Sequence, residues 1–170
     1  MIATLELPTL LSATGGDVTL RRAERRDLGA IMRLLSDDAV SAARGDTADE
    51  SDIDAYAAAL AQLIADNSND LLVVEDATGG VIATAQLTSI PGMSRRGSRR
   101  LLVEAVRVDS SLRSSGIGSA MMRWVTDIAA PSVGASIVQL TSDEARTDAH
   151  RFYERLGFVG SHRGFKYRVG

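Results

Sequence analysis

Between the apolar runs LLVEAVRVD and AMMRWVTDIAA lies the segment Arg113-Ser114-Ser115-Gly116-Ile117-Gly118-Ser119. Its composition suits an anion. Glycine admits positive φ and lets a ligand reach the backbone, because no Cβ stands in the way. Successive amides of such a turn converge, and a helix starting here adds the positive end of its dipole. Arg113 brings a full charge, and Ser114, Ser115 and Ser119 bring hydroxyl donors. Phosphate is the ligand such a loop would hold; a tight strand–helix turn with solvated serines is the alternative. Two common nucleotide motifs fit poorly. A dinucleotide fingerprint needs a third glycine where Met121 stands, and a mononucleotide loop needs a lysine after its glycines.

Glu104 is the second residue with chemical potential. It interrupts an apolar strand, where a carboxylate is costly unless it is used or paired. Strict alternation would put Glu104, Val106 and Val108 on one face. A general base and an edge-exposed or arginine-paired glutamate are both open readings. The chain has no cysteine, which excludes disulfides, thiolate metal sites and a cysteine nucleophile. His150 and His162 are too few and too far apart for a metal site, so no metal is expected. A net charge of −3 offers no general field for nucleic acid or an anionic membrane.

The elements that must position these residues read as mixed α/β. At 170 residues the chain can bury a full core. Residues 1–17 end in the turn-rich Thr14-Gly15-Gly16-Asp17 and read as an extension ahead of a single domain, 18–170. Val18 to Arg22 is a short strand. Asp27 is placed to cap a helix that runs to about Asp37, and an alanine-rich helix ends near Asp66. Leu71 to Glu75 and Val81 to Thr88 form a hairpin around Asp76-Ala77-Thr78-Gly79-Gly80. Leu101 to Val108 is a strand. The clearest helix comes after the glycine loop, with Ile117, Ala120, Met121, Trp124, Val125, Ile128 and Ala129 on one stripe. Ile137 to Leu140 is a strand, and the last helix carries Ala149, Phe152, Tyr153 and Leu156, with Gly157 as its left-handed cap. Phe158-Val159 and Phe165 to Val169 are expected to complete the sheet. The N-terminus lacks the basic leader of a signal peptide and no apolar run is long enough for a bilayer, so a cytoplasmic protein is expected.

Three segments in order then carry a resemblance. Arg113-Ser114-Ser115-Gly116-Ile117-Gly118 matches the R-x-x-G-x-G/A signature of the GNAT N-acetyltransferases. The strand Val103-Glu104-Ala105-Val106-Arg107-Val108-Asp109 before it is similar to that family. So is Asp148-Ala149-His150-Arg151-Phe152-Tyr153-Glu154-Arg155-Leu156-Gly157-Phe158, which resembles its A-x-x-F-Y-x-x-x-G-F segment. The resemblance covers residues 18 to 169. A looser likeness, in the tail HRGFKYRV and in DAHRFY, is to aminoalkylphosphonate N-acetyltransferases.

The resemblance implies the acyl-CoA N-acyltransferase fold with a splayed central sheet, and acetyl-CoA as co-substrate. It assigns the CoA pyrophosphate to Arg113, Ser114, Ser115, Gly116, Ile117, Gly118 and Ser119. Pantetheine falls to the strand backbone at Val106, Arg107 and Val108. The implied reaction moves acetyl to a primary amine of a small molecule by direct transfer in a ternary complex. The amine, with a pKa of roughly 10, must first lose a proton. Glu104 is the candidate base, directly or through water, and Tyr153 the candidate acid for the departing thiolate, although its helical spacing equally suits a core tyrosine. An oxyanion would be met by a backbone N–H near Val106. Many relatives have a CoA-touching asparagine where this chain has Asp143 and Arg146, so Arg146 is the candidate for a phosphate there. The acidic connection with Asp37, Asp38, Asp46, Asp49, Glu50, Asp52 and Asp54 would draw a cationic amine. Arg95, Arg96, Arg99 and Arg100 would suit an anionic acceptor or the CoA ribose phosphate. A homodimer is the expected assembly. The competing reading is a catalytically silent acyl-CoA sensor or partner module of the same fold.

Overall fold

The structure is a computed structural model that describes residues 2–37, 39–43, 45 and 47–169. Asp38 and Asp46 of the acidic connection lie outside the described residues. Two compact units make up the chain, Met1–Leu140 and Thr141–Gly170.

The first unit is built on a six-stranded sheet in the order β1-β2-β3-β4-β5-β6. The strands are β1 Thr9–Ala13, β2 Gly16–Arg22, β3 Asn69–Glu75, β4 Val81–Ile90, β5 Arg99–Val108 and β6 Ala135–Leu140. Neighbours pair antiparallel up to β5, and β5–β6 is parallel. Leu71, Leu72, Val73 and Val74 of β3 are all buried. Such a run belongs to a strand covered on both faces, and helices supply both covers. On one face α1 (Leu28–Ser36) and α2 (Ile53–Ala65) bring Ile31, Leu34 and Leu60 onto Leu71, Val73 and Val81. On the other, α3 (Ile117–Trp124) packs on β1 and β5, with Ile117, Met121, Met122 and Trp124 buried.

Four local expectations change. The segment read as an N-terminal extension supplies β1, because the Thr14–Gly15 turn folds Thr9–Ala13 back onto β2 and buries Leu11. Arg22 also holds the chain start, its Nη2 donating to the carbonyls of Ile2 (3.4 Å) and Leu5 (3.0 Å). Asp27 makes no side-chain cap to α1. It is buried instead, paired with Arg21 and accepting the Glu24 N–H at 2.7 Å. Ile128 leaves the stripe and is 53% exposed, because residues Val125–Ala129 form a π turn. A π turn spends extra residues per revolution and so rotates the residues beyond it around the helix axis.

The second unit holds α4 (Thr147–Arg155). Its end is a Schellman motif: Phe158 N–H reaches Tyr153 C=O and Gly157 N–H reaches Glu154 C=O, with Gly157 at φ +89°. Gly157 is therefore the left-handed cap that its position suggested. The fourth change is in the tail, where the expected strands at 158–159 and 165–169 are not formed. A strand needs a ladder partner, and no described residue of 141–169 lies in another strand. Phe165, Tyr167 and Val169 are accordingly about nine-tenths exposed, at 89%, 91% and 89%. No helix of the described residues is long and apolar enough to cross a membrane.

Candidate active site

The site is organised by what β5 does after Val103. Up to that residue it is paired on both sides, with Val103 opposite Leu140 as the last rung to β6. From Glu104 to Val108 its strand neighbour among the described residues is β4. β5 thus runs on past the end of its β6 ladder, and an extended ligand can add to such a strand as a further one. Within the same stretch the register to β4 slips: Gln86 faces Glu104 and Thr84 faces Arg107, so Ala105 and Val106 together stand opposite Ala85. Ala105 adopts φ +50°. This β-bulge takes one residue out of the ladder and turns the strand.

The bulge corrects the simple alternation. Glu104 shares its face with Arg107 rather than with Val108, which pairs with Ala83 on the opposite face. Glu104 is exposed, and among the described residues nothing pairs with its carboxylate. The burial argument for Glu104 is thus replaced by an argument from position. Its face is the one covered by α1 and α2, since Gln86 is also the partner of Leu71. Beside it runs a polar row across β4 and β3. Gln86 Nε2 donates to Asn69 Oδ1 at 3.3 Å, and Thr88 Oγ1 donates to the same oxygen at 2.6 Å. Sequence reading missed Gln86, Asn69 and Thr88, because their convergence depends on strand register.

After β5, Asp109 opens a short turn by accepting Ser111 N–H (3.0 Å) and Ser111 Oγ–H (2.6 Å). The Ser111 hydroxyl and amide hold the Asp109 carboxyl below the ordinary range, against a small desolvation effect. The chain then reaches Ser114 at φ +68° and Gly116 at φ +86°, the left-handed N-cap of α3. The first bond into the helix is Ala120 N–H to Gly116 C=O at 2.9 Å. The amides of Ile117, Gly118 and Ser119 precede that ladder, as the leading amides of a helix do. Arg113 stands exposed beside them, one Nη2 bond going to Asp37 C=O at 2.8 Å. Asp37 also accepts Ser110 N–H through Oδ2 at 2.6 Å, so the end of α1 grips both sides of the turn. The donor set fits a phosphate group: adjacent amides at a helix start, a guanidinium and the hydroxyls of Ser114 and Ser119, whereas the Ser115 hydroxyl expected to join them donates to Leu112 C=O within the loop.

Gly116 has a further reason to be glycine. A Cβ there would lie 2.6 Å from Thr14 Oγ1 and 2.8 Å from Thr14 N, so the chain itself already occupies that approach. Of the four arginines, Arg99 and Arg100 open β5, where Arg99 donates to Ser89 Oγ (2.9 Å) and Arg100 to Gln139 Oε1 (3.2 Å). Arg95 and Arg96 remain exposed at φ +54° and +60°.

In the second unit, Tyr153 is half-buried, edge-on to Phe152 and Phe158 with ring centroids 5.1 and 5.8 Å away. His150 Nε2 donates to Asp143 C=O at 2.8 Å, which ties that ring to the start of its own helix. Arg146 is the residue just before α4. No group of three or more metal-ligating side chains occurs among the described residues.

Past its last rung to β6 the strand bulges and leads into a glycine loop at a helix start. The chain belongs to the Acetyltransferase (GNAT) family, whose model matches residues 30–158. It is an acetyl-CoA-dependent N-acetyltransferase. Among solved structures it is similar to a transcriptional regulator from Bacillus halodurans C-125, with 34% identity over 89% of this chain and 99% of that one, at a TM-score of 0.84. It is also similar to an acetyltransferase from Trypanosoma brucei, with 27% identity over 90% and 100% of the two chains, at a TM-score of 0.71. The glucosamine-6-phosphate N-acetyltransferase of Arabidopsis thaliana shares the fold, at 18% identity over 90% and 99% and a TM-score of 0.71. No curated protein sequence matches the chain.

Proposed function

We propose that the chain acetylates a primary amine of a small molecule by direct transfer within a ternary complex. The observation that carries this reading is the parting of β5 from β6 after Val103, beside a bulge at Ala105–Val106 and ahead of the glycine loop. Acetyl-CoA supplies an activated acetyl thioester. The backbone of Val106, Arg107 and Val108, beyond the end of the β6 ladder, is assigned to its pantetheine arm, and a main-chain N–H near Val106 is the donor for developing negative charge. Arg113, Ser114, Ser115, Gly116, Ile117, Gly118 and Ser119 hold the pyrophosphate, and Arg146 is assigned to a phosphate.

Glu104 takes the proton of the incoming amine, directly or through water. Its exposed carboxylate on the α1/α2 face supports this role, and Gln86 beside it is a group that can orient a polar acceptor. Tyr153 is assigned as proton donor to the leaving thiolate on its place in the family motif. The absence of cysteine supports direct transfer over an acyl-enzyme route through that residue. A cytoplasmic location and a homodimer belong to the same proposal.

A second reading has one observation in its favour: the Bacillus halodurans relative is described as a transcriptional regulator. On that reading the CoA site serves as a sensor. Calorimetry with acetyl-CoA, together with a thiol-release assay over an amine library, separates the two. Binding with CoA release by a defined amine supports the transferase. Tight binding without release by any amine supports the sensor, and absence of binding overturns both.

A further inference from the structure

We infer that the β1–β2 turn is a positioning element of the cofactor site, with Thr14 and Gly15 holding the glycine loop in its binding shape. The inference deepens the proposed pyrophosphate role of residues 113–119 and rests on it. Two residues of that loop carry left-handed backbone, and one of them is not glycine: Ser114 at φ +68° and Gly116 at φ +86°. Such a conformation is strained at a non-glycine residue and persists only where neighbours hold it.

The neighbours are visible. On the inner side, Ser115 N–H and Ser115 Oγ–H both donate to Leu112 C=O, at 3.3 and 2.5 Å. On the outer side, Gly15 N–H donates to Ser115 C=O at 3.2 Å, a bond between residues 100 positions apart. Thr14 lies directly against Gly116, close enough that no Cβ could be accommodated. Ser115 is thus fixed through its amide, hydroxyl and carbonyl, with the last fixed by the turn. This orientation of the Ser115 peptide sets where the Gly116 amide points, because the peptide unit is planar. The turn itself is a rigid support. Its two strands are paired along their length, from Ala13–Gly16 to Thr9–Leu20, and α3 packs on β1.

The test uses Gly15→Pro, which removes the donor N–H, and Gly15→Ala, which keeps it. A Cβ at Gly15 would meet Ser115 Cβ at 3.8 Å, an ordinary contact. Calorimetry with CoA should show Gly15→Pro weakened about tenfold and Gly15→Ala within twofold of wild type. Amide hydrogen exchange should accelerate at 114–119 in Gly15→Pro while β3 and β4 keep their protection. If Gly15→Pro does not fold, Thr14→Ala carries the test, with a smaller loss of CoA affinity and faster exchange confined to the same loop. Unchanged exchange and CoA affinity in a folded Gly15→Pro or Thr14→Ala would overturn the inference. If wild type binds no CoA, the pyrophosphate reading fails, and this inference fails with it as a cofactor device. Wild-type binding with indifferent variants sinks the inference alone.

Discussion

Glu104 illustrates how little a residue type says without its surroundings. In an apolar strand it suggests a buried acid, yet its carboxylate is exposed and unpaired among the described residues, where an incoming amine can reach it. Glu104→Gln should lower kcat/KM roughly 10²-fold near neutral pH, a usual loss for a general base. The deficit should shrink toward the pKa of the acceptor, where more amine arrives deprotonated. Acetyl-CoA affinity should hold, because the strand backbone is untouched. A pH–rate profile parallel to wild type would leave Glu104 without a proton-transfer role. For Tyr153, Phe keeps both edge-on ring contacts and removes only the hydroxyl. Tyr153→Phe should therefore cut kcat about 10²-fold with little change in acetyl-CoA affinity. Loss of stability with kcat retained would make it a packing hydroxyl.

At the scale of elements, the legible features obey local rules. The α3 stripe, the Asp76–Gly80 hairpin, the Gly157 cap and the anion-suited loop all come from residues within one turn or one hairpin of each other. The bulge was not legible, because Ala105 gives no sign of positive φ and only the β4 register reveals the slip. The point where β5 outruns β6 was likewise invisible from composition. It depends on where β6 stops, at Leu140 opposite Val103. The tail at Phe165 to Val169 shows the converse: its alternation is a good strand pattern, but a pattern without a partner makes no ladder. Asp37 belongs with the hidden contacts, being 73 residues from Ser110 and 76 from Arg113. Asp37→Ala should weaken acetyl-CoA binding about threefold by releasing the Ser110 amide, within the range of one hydrogen bond. Asp37→Asn retains an acceptor oxygen and should stay near wild type. Equal behaviour of the two in a titration with CoA would remove Asp37 from the loop's support.

At the scale of the whole molecule, two buried carboxylates make stability depend on pH in opposite senses. Arg21, Asp27 and Glu75 bind β2, the start of α1 and β3 together, with contacts of 2.7 Å to Asp27 and 2.5 Å to Glu75. Burial works against the Asp27 charge, but the Arg21 guanidinium and the Glu24 amide prevail and hold its carboxyl below the ordinary range. A depressed folded pKa gives stability that is present above the unfolded value, near 3.9, and is lost as pH falls through the folded value. Asp70 is the reverse. Burial raises its carboxyl, and Arg22 at 2.9 Å offsets that only in part. Its contribution is therefore fully present below the unfolded value and is lost as pH rises through the folded one. Asp27→Asn should be less stable than wild type by about 3 kcal/mol at pH 7, since it leaves a buried guanidinium short of a partner. That deficit should narrow as pH falls below about 4, where wild type also loses the Asp27 charge. Asp70→Asn behaves as a permanently protonated Asp70, so its stability relative to wild type should rise with pH across the raised folded pKa. Urea unfolding of the three proteins from about pH 3 to about pH 8 measures both trends. If the two difference curves share one sign of slope, the assignment of opposite shifts is wrong.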